Sequence, residues 1–259
     1  MNGTPAKGQG AAGRDRQLAK LDGLLTPDSD LPRGGPPPLF RGLTPDEQNE
    51  ILNAGKRRVL NRGALLFRQG AAQDGIFLIE SGRIKVFYIG PSGREITLAY
   101  WYAGHFVGGP DVFERGTHVW SGTAAANSAV LHLPGDFLRK MTLKTPALAV
   151  NIIDGLSFKG KCYSALAQML GTRSPVQRLA QLLLHLANLY GLEESSGTFI
   201  TASFTQAEFA HMTGVTRQSV TTTLKRFVDS GIVAWSGPNL VIQNIAQLSL
   251  LRDGKKKPV

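Results

Sequence analysis

The sequence predicts an α+β fold with an antiparallel, barrel-like sheet first, a long helix next and a winged helix-turn-helix last. Three observations predict it. Short apolar runs separated by glycines occupy residues 56–133, and apolar residues then recur every three or four positions over 147–170. The stretch FTQAEFAHMTGVTRQSVTTTLKRFVDSGIV, residues 204–233, contains two short helical patterns around a glycine. Short strands with regular turns are typical of barrels, whereas three-to-four spacing is typical of helices.

Composition limits the class of protein. The 259 residues, 42% of them hydrophobic, allow two modest globular domains. No run of eighteen apolar residues is present, so we expect no membrane span, and no N-terminal apolar segment suggests export. The single cysteine, Cys162, excludes a disulfide within the chain and any cluster that needs several thiolates. We therefore expect a cytoplasmic protein, and its net charge of +10 suits a polyanionic partner.

Both ends of the chain are poor in apolar side chains. Residues 1–38 are rich in Gly, Pro and Ala, and we predict a disordered extension with a short helical piece around Asp15 to Leu25. The other end, residues 251–259, predicts a loose basic tail.

Order is predicted to begin at Leu39, and a first domain to span 39–144. Thr44 and Glu47, with Pro45 between them, form a capping box that starts a helix. Five strands follow in the runs ALLFRQG, GIFLIESG, RIKVFYIG, REITLAYW and AVLHLP. Turns between strands fall at glycines, which adopt a positive φ at little cost: Gly70, Gly75, Gly82, Gly93 and Gly104.

A long helix is predicted from Ala147 to Leu170, within a segment 145–173 that ends in a hinge at Gly171, Thr172 and Arg173. Its apolar residues cover more than one face: Ile152, Ile153, Leu156, Phe158, Cys162, Leu166, Met169 and Leu170. One face can pack on the sheet, and the same helix of a second subunit is the simplest cover for the other. Complete burial within one subunit is the alternative.

A third domain is predicted over 174–250. Ser174 and Pro175 begin a helix, whose core face is formed by Leu179, Leu182, Leu183 and Leu186 and which ends at Gly191.

The helix-turn-helix follows from a second set of local signals. Thr205 and Glu208 form a capping box, Ala210 allows two helices to cross closely, and Gly214 suits a turn with positive φ. Thr216 caps the second helix, which ends at Gly231. Its predicted buried residues are Val220, Leu224, Phe227 and Val228. The runs IVAW, SGPN and LVIQ then predict a β-hairpin, or wing.

Polar and basic residues remain for the outer face of this unit, which predicts contact with double-stranded DNA. Gln218 can pair with adenine and Arg217 with guanine or phosphate. Thr221 and Thr222 can meet a thymine methyl group or a phosphate, while Lys225 and Arg226 neutralise phosphates. The candidate DNA-binding residues are Thr205, Gln206, Thr216, Arg217, Gln218, Ser219, Thr221, Thr222, Lys225 and Arg226.

Two other classes of function are open to a chain of this kind. The winged helix can serve protein contacts, so that the chain is a ligand-binding regulatory module. An enzyme is not expected, because no paired carboxylates, metal-spaced ligands, nucleophile elbow or phosphate loop occur in a supporting context. We therefore assign no catalytic residue and no metal site.

With both halves considered, the chain resembles the CRP/FNR family of bacterial transcription regulators over residues 39–248. The segments that carry the resemblance are GALLFRQGAAQDGIFLIESGRIKVF, RLAQLLLHLA and the helix-turn-helix stretch. The resemblance implies an N-terminal β-roll of the cyclic-nucleotide-binding type, a long dimerisation helix and a C-terminal winged helix-turn-helix. It also implies a homodimer on palindromic DNA that contacts RNA polymerase.

The family pattern for cyclic AMP is absent. Gly109 and Pro110 stand where the family has a ribose-binding Glu and a Leu, and no arginine occupies the place of the phosphate-binding Arg near His118. A buried phosphate without its guanidinium loses a charge-assisted pair, so the departure disfavours cyclic AMP. The resemblance places candidate effector contacts at Gly108, Gly109, His118, Val119, Tyr163 and Ser164.

The same comparison with the family pattern gives expectations about other cofactors and about the DNA sequence of the operator. One cysteine excludes the iron–sulfur cluster of the FNR branch. Some relatives bind haem through a histidine. Haem therefore remains an alternative cofactor, with His105, His118 or His132 as its ligand, and the protein would then be a gas sensor. Gln218 replaces the glutamate with which relatives read their common half-site, and this predicts an A·T pair at that position.

Overall fold

The structure is a computed structural model that describes residues 38–255. Most of the predicted extension, with its short helix, and the last four residues of the predicted tail lie outside the described residues. The chain divides into two compact units between Thr172 and Arg173. We call the described residues 38–172 the N-terminal unit and 173–255 the C-terminal unit.

The N-terminal unit begins with helix α1, Pro45–Ala54. The predicted capping box is confirmed: the Glu47 N–H donates to the Thr44 hydroxyl over 3.3 Å, and the Thr44 N–H donates to the Glu47 carboxylate over 2.8 Å. Ile51 on the inner side of the helix is fully buried.

Ten strands form the antiparallel part of this unit. Their bounds are β1 Lys56–Leu60, β2 Leu65–Phe67, β3 Ala72–Asp74, β4 Ile76–Ser81, β5 Arg83–Ile89, β6 Glu95–Tyr102, β7 Phe106–Val107, β8 Arg115–Thr117, β9 Ser121–Ala124 and β10 Ser128–Leu133. Two four-stranded sheets have the orders β1-β10-β4-β7 and β2-β9-β5-β6, and β3 pairs with β8. The five predicted strands are confirmed as β2, β4, β5, β6 and β10. The five glycines predicted at turns all have a positive φ.

Two clusters of buried side chains fill the N-terminal unit. One lies between the strands and the second half of the long helix and includes Trp101, Phe67 and Phe158. The other joins α1, the strands and the first half of the long helix, and includes Ile51 and Leu148. The long helix therefore packs on the sheets of its own chain along most of its length.

Two helices close the unit: α2, Gly135–Lys144, and α3, Pro146–Thr172. Helix α2 was not predicted because Pro134 at its N-cap offers no side-chain hydrogen bond and so gives no start signal. The predicted long helix is confirmed as α3, but it runs through two of the three supposed hinge residues, Gly171 and Thr172. The Thr172 hydroxyl donates to the Gln168 carbonyl and continues the helical pattern.

The outer face of α3 differs from the expected second apolar face. Ile153 is 62% exposed and Val150 is 52% exposed. Of the exposed positions that follow, Lys161, Gln168 and Thr172 carry larger polar side chains, whereas five others carry small ones. These five positions are Ser157, Gly160, Ser164, Ala167 and Gly171, and we call them the small-residue seam. Cys162, Leu166 and Met169, by contrast, are buried.

The C-terminal unit contains four helices and one sheet. Its elements are α4 Pro175–Tyr190, β11 Gly191–Glu194, β12 Gly197–Ile200, α5 Gln206–Thr213, α6 Arg217–Asp229, β13 Val233–Ser236, β14 Asn239–Ile242 and α7 Ile245–Arg252. The strand order is β11-β12-β14-β13. The predicted start of α4 at Ser174 and Pro175 is confirmed, and Gln177 completes a capping box there. Helix α7 extends into the predicted tail, so Leu251 and Arg252 are helical.

Gly191 ends α4 as predicted, but not in a left-handed conformation. Its φ is −73°, because strand β11 begins there. A Cβ at this position would overlap the carbonyl oxygen of Ala187 and lie 2.6 Å from the Thr198 methyl group. Close approach of the backbone, not a positive φ, therefore favours glycine.

Among the helices of residues 38–255, none has the length and apolar character needed to cross a lipid bilayer.

Candidate nucleic-acid interface and sensor site

The turn between α5 and α6 has the geometry that the sequence predicted. The Thr205 hydroxyl accepts from the Glu208 N–H over 3.1 Å. Gly214 ends α5 with φ 62° and ψ 37°, and its N–H donates to the Ala210 carbonyl. Ala210 is 4% exposed, as expected for a small residue where two helices cross.

Helix α6 buries one face and exposes the other. Thr216 caps it by accepting from the Ser219 N–H over 3.1 Å. The buried residues are Val220, Thr223, Leu224 and Phe227. Val228 was predicted to join them but is 36% exposed. Thr223 takes the inner position because the spacing 220, 223, 224, 227 keeps one stripe facing inward.

The outer face of α6 gathers most of the candidate DNA-binding residues. Arg217, Gln218, Thr221, Thr222, Lys225 and Arg226 are exposed, and Ser219 is half-buried. Thr205 and Thr216 lie at the same end of the two helices, but their hydroxyls are committed to capping bonds. Gln206 opens α5 and contacts Thr221, with 2.6 Å between the Gln206 Oε1 and the Thr221 hydroxyl.

Three cations mark this face as suited to a polyanion. Arg217 lies at the start of α6, and Lys225 and Arg226 lie two turns further along. Within residues 38–255, none of the three forms an ion pair with a carboxylate of the chain. Their charges therefore remain available to phosphates.

The predicted wing is present as the hairpin β13–β14. Trp235 pairs with Leu240 and Ser236 with Asn239, which leaves Gly237 and Pro238 as the loop. Gly237 has φ 59°, in keeping with the glycine that a two-residue hairpin loop favours first. The Asn239 side chain donates to the Ile200 carbonyl over 2.8 Å and ties the hairpin to β12.

Three of the candidate effector residues are brought together in the N-terminal unit. Gly108 and Gly109 are buried after β7, and the His118 Nδ1 lies 2.7 Å from the Gly108 carbonyl oxygen. Because a carbonyl only accepts, Nδ1 carries the hydrogen. The His118 ring is 5% exposed and stacks on Phe67 with 4.4 Å between centroids. Burial lowers the pKa of His118, although the bond to Gly108 opposes that shift.

Gln73 fills the space beside Gly109, and it was not among the residues predicted for this site. Its side chain is 2% exposed, and its Nε2 donates to the Asp111 carbonyl over 2.6 Å. A Cβ on Gly109 would lie 2.8 Å from the Gln73 Cδ. Gln73 belongs to β3, a three-residue strand too short to be recognised from its pattern.

The other three candidates do not join this group. Val119 is 48% exposed. The Tyr163 ring lies 5.4 Å from that of Trp120, and burial raises the pKa of the Tyr163 hydroxyl. Ser164 is exposed on α3 and belongs to the small-residue seam.

Lys159 of α3 is a second buried polar group that the sequence interpretation missed. Its Nζ is buried without a hydrogen-bond partner, 3.8 Å from the ring centroid of Trp101 and 4.4 Å from that of Phe106. Burial lowers the pKa of Lys159 to about 7. The signal was its spacing of four residues from Gly155, three from Cys162 and seven from Leu166, which places it on the buried stripe.

The side chains near Lys159 are held in uncharged forms. Burial, assisted by the charge of Lys159, lowers the pKa of His105 to about 4. Burial raises the pKa of the Cys162 thiol to about 12. In the part of the chain that the structure describes, no three His, Cys, Asp or Glu side chains are grouped to hold a metal ion.

Two family descriptions match the chain, one in each unit. Residues 57–145 match the cyclic nucleotide-binding domain. Residues 177–251 match the Crp-like helix-turn-helix domain. The two matches cover the sheets of the N-terminal unit and the helix-turn-helix with its wing.

Curated relatives match along most of their length. The chain is 26% identical over 223 residues to the CRP-like cAMP-activated global transcriptional regulator of Mycobacterium tuberculosis, covering 86% of this chain and 98% of that protein. It is 24% identical over 209 residues to the transcriptional activator protein Anr of Pseudomonas protegens, covering 81% of this chain and 84% of the relative.

Solved structures share the fold. The c-di-GMP-responsive global regulator CLP of Xanthomonas campestris matches with a TM-score of 0.69 at 19% identity, over 77% of this chain and 99% of that one. A CooA mutant from Carboxydothermus hydrogenoformans matches with a TM-score of 0.64 at 22% identity, over 78% and 90%. Together with the two domain matches and the curated relatives, these findings show that the chain belongs to the CRP/FNR family of DNA-binding transcription regulators, which are not enzymes.

Proposed function

We propose that this regulator acts as a homodimer on a two-fold symmetric operator, and that its N-terminal unit responds to an effector other than cyclic AMP. The observation that carries the DNA-binding part is the exposed face of α6. Its arginines, glutamine and lysine point outward while Val220, Leu224 and Phe227 hold the opposite face in the core. A helix supported in this way can enter a major groove with its polar face against the bases.

The residues on that face divide into two roles. Gln218, near the start of α6, offers an amide that can bond both N6 and N7 of adenine, and Arg217 offers the same geometry for guanine or a phosphate. Lys225 and Arg226, further along the helix, would neutralise phosphates. Thr222 is exposed beside them and presents a methyl group suited to thymine.

The base-reading and phosphate roles can be separated by two substitutions. An operator is first selected in vitro from random duplexes, and binding is measured by fluorescence anisotropy on it and on its single-base-pair variants. Gln218→Ala is expected to lose discrimination of about tenfold at one position of each half-site. Lys225→Ala should weaken binding on every duplex and lower the salt slope by about two, one for each subunit of the dimer. Equal weakening by Gln218→Ala on all duplexes would contradict its base-reading role.

The small-residue seam supports the dimer. Ser157, Gly160, Ser164, Ala167 and Gly171 recur at spacings of three and four and are all exposed. Small side chains let two helices approach closely, so the same seam on a second copy is a matching surface. Two copies would place two α6 helices on half-sites about one DNA turn apart.

Gly160 provides the test of the seam. No heavy atom lies within 4 Å of a Cβ built at this position, so a larger side chain fits within one chain. Gly160→Trp should convert the dimer to a folded monomer in sedimentation-velocity runs, while Gly160→Ala keeps the surface small and the dimer intact. A dimeric Gly160→Trp variant would contradict the seam, and a monomeric wild-type protein would contradict the dimer.

The N-terminal unit supports the exclusion of cyclic AMP. Gly109 provides no side chain for a ribose, and Gln73 occupies the neighbouring space. Arg115 has a side chain that is 79% exposed and lies 3.9 Å from Asp136, so it points away from an enclosed site. Isothermal titration with cyclic AMP is expected to give no binding heat, and micromolar affinity would overturn this part of the proposal.

Haem does not fit the residues as they lie. His118 has the tautomer that leaves Nε2 without a hydrogen, but its ring packs on Phe67, and Phe77 stacks 6.5 Å away. The His105 and His132 rings are likewise packed against aromatic side chains, with 5.9 Å between the ring centroids of His105 and Trp101 and 4.9 Å between those of His132 and Phe77. We derive no function through haem, and we expect purified protein to lack a Soret band.

One further partner and a cellular compartment complete the proposal. As a transcription regulator the protein would contact RNA polymerase, and its place of action would be the cytoplasm. A regulatory module that acts through protein contacts alone is the competing function, and sequence-specific binding to the selected operator would exclude it.

A further inference from the structure

Thr221 and Gln206 form a contact between the two helices of the helix-turn-helix. The Thr221 hydroxyl lies 2.6 Å from the Gln206 Oε1 and 2.9 Å from the Arg217 carbonyl oxygen four residues earlier. A hydroxyl has one hydrogen, so Thr221 can donate to only one of these acceptors at a time. Gln206 is the first residue of α5, and Thr221 lies on the exposed face of α6.

We propose that Thr221 is a positioning residue, which donates its hydrogen to Gln206 and thereby turns the amide N–H groups of Gln206 toward a DNA phosphate. The inference rests on the proposed function, because it assigns a task within the same interface. Gln206 is the group that touches the nucleic acid, and Thr221 acts through it.

The direction of the hydrogen bond follows from what a phosphate can accept. A phosphate oxygen is an acceptor only, so an amide that presents Oε1 to it is repelled, whereas one that presents Nε2 donates a charge-assisted bond. Once Thr221 donates to Oε1, the part of the amide left for another partner is Nε2, which is a donor. The N-terminal end of α5, where backbone N–H groups lack helical acceptors, favours an anion at the same place.

The carboxylate at this helix end does not compete for the amide. The Glu208 Oε2 accepts from the Thr205 N–H over 2.8 Å and from the Thr205 hydroxyl over 2.9 Å. It is therefore turned back on the cap, while Gln206 is turned toward α6. The two side chains at the start of α5 thus serve separate tasks.

This role differs from the one that the sequence suggested for Thr221. There, Thr221 met a thymine methyl group or a phosphate directly. Valine keeps the methyl group and the shape of threonine but lacks the hydroxyl, and serine keeps the hydroxyl but lacks the methyl group. The substitutions Thr221→Val and Thr221→Ser therefore separate the positioning role from direct contact with a base.

The experiment measures anisotropy binding of full-length wild type, Thr221→Val, Thr221→Ser, Gln206→Ala and the double variant to the selected operator and its single-base-pair variants. Gln206→Ala should weaken binding to all duplexes by about tenfold, as expected for loss of a hydrogen bond to a charged group. Thr221→Val should weaken binding to all of them by about threefold, because Gln206 can still bond to the phosphate part of the time without the Thr221 hydroxyl to orient it. Thr221→Ser should bind as wild type does.

Two further readouts distinguish positioning from a change in fold. The salt slope should stay the same in Gln206→Ala and Thr221→Val, because a neutral amide displaces no counterion. In the Gln206→Ala background, adding Thr221→Val should have no effect on affinity, since Thr221 would then have nothing to position. A melting temperature lowered by the valine substitution does not remove this test. The double variant and Thr221→Val both carry valine, so their affinities are compared at a temperature where both are folded. The coupling is the difference between this effect of Gln206→Ala and its effect in the wild-type background.

Several results would overturn the inference. Unchanged affinity in Thr221→Val would do so, as would a valine effect that persists without Gln206. Loss of discrimination at one base pair in Thr221→Ser would replace positioning by direct contact with a thymine. In each case binding by wild type leaves the proposed function standing, whereas wild type without sequence preference would overturn both.

Discussion

The two units place their basic side chains in opposite environments. In the C-terminal unit, Arg217, Lys225 and Arg226 are exposed on one helix face. In the N-terminal unit, Lys159 is buried between Trp101 and Phe106. Exposed cations keep their hydration until a polyanion replaces it, whereas a buried amine has already lost it. The first arrangement is suited to binding, and the second lowers the stability of the fold that holds it.

The polar groups of the two candidate sites differ in the same way. Those on α6 point to solvent because packing uses only the other side of the helix. Those beside Gly109 are enclosed, since Gln73 and His118 both bond to backbone carbonyls nearby. An exposed face can be read from the sequence of one helix. An enclosed site depends on strands that meet only in the fold.

The largest expected effect tests the buried amine. Lys159→Met keeps the length of the side chain and removes the amine, and we expect it to stabilise the protein by on the order of 3 kcal/mol near pH 7. The measurement is chemical denaturation followed by tryptophan fluorescence, with Trp235 of the C-terminal unit replaced by Phe in every variant so that only Trp101 and Trp120 report. Lys161→Met, at an exposed position of the same helix, is the matched control and should change little. No gain in Lys159→Met would mean that the two rings offset the loss of hydration.

The pH dependence of this effect follows from the lowered pKa. Lys159 has a pKa of about 7 in the fold against 10.5 as its usual value, so the unfolded chain binds more protons between these limits. Wild-type stability should therefore rise with pH above 7, relative to Lys159→Met. The stability of wild type falls furthest below that of Lys159→Met at pH values below 7. Measurements from pH 7 to 8 are cleanest, because His105 has lost its proton in the fold there and the Cys162 thiol, whose usual pKa is 9.0, keeps its own in both states.

The next effect tests the helix crossing in the C-terminal unit. Ala210→Leu places a larger side chain where α5 meets α6, and we expect a loss of about 2 kcal/mol and of operator binding. Ala246→Leu, on the exposed side of α7, is the control. Circular dichroism melting and anisotropy would measure both changes. Normal operator binding by Ala210→Leu would show that the crossing tolerates bulk and that the close approach is not required.

The contrast also explains which parts of the fold the sequence could predict. Thr44, Ser174 and Thr205 cap helices through bonds to residues three positions away. Each cap can therefore be recognised from a segment of four residues. The positive φ at Gly214 is likewise a local requirement. The start of α2 at Gly135 has no such signal, because a carboxylate on β3 serves it: the Gly135 N–H donates to Asp74 over 3.0 Å.

The two candidate sites also differ in whether local sequence predicts them. The exposed face of α6 followed from helical spacing, and only Val228 was placed on the wrong side. The sensor residues came from a family pattern that assumes an open site between Gly109 and His118. Gln73 lies 36 residues from Gly109 in sequence, and nothing local to either residue shows that the two side-chain positions compete for one space. Long-range packing of this kind lies beyond a pattern of turns and strands.

The smallest effect tests that competition directly. Gly109→Ala adds a Cβ that would lie 2.8 Å from the Gln73 Cδ, and Gln73 can move away only by giving up its 2.6 Å bond to the Asp111 carbonyl. We expect a loss of about 1 kcal/mol, as is usual for mild overpacking. Denaturant unfolding of single variants measures it.

The control and the double variant separate crowding from a general intolerance of this loop. Gly116→Ala adds a Cβ whose nearest atom, the Asp111 Oδ2, lies 3.6 Å away, so its stability should match that of wild type. If Gln73 is the obstacle, Gly109→Ala should cost nothing more in a Gln73→Ala background, because the space is then empty. Additive losses in the double variant would show instead that the backbone at Gly109 resists a side chain for its own reasons. In that case Gln73 would not be what keeps a side chain out of position 109.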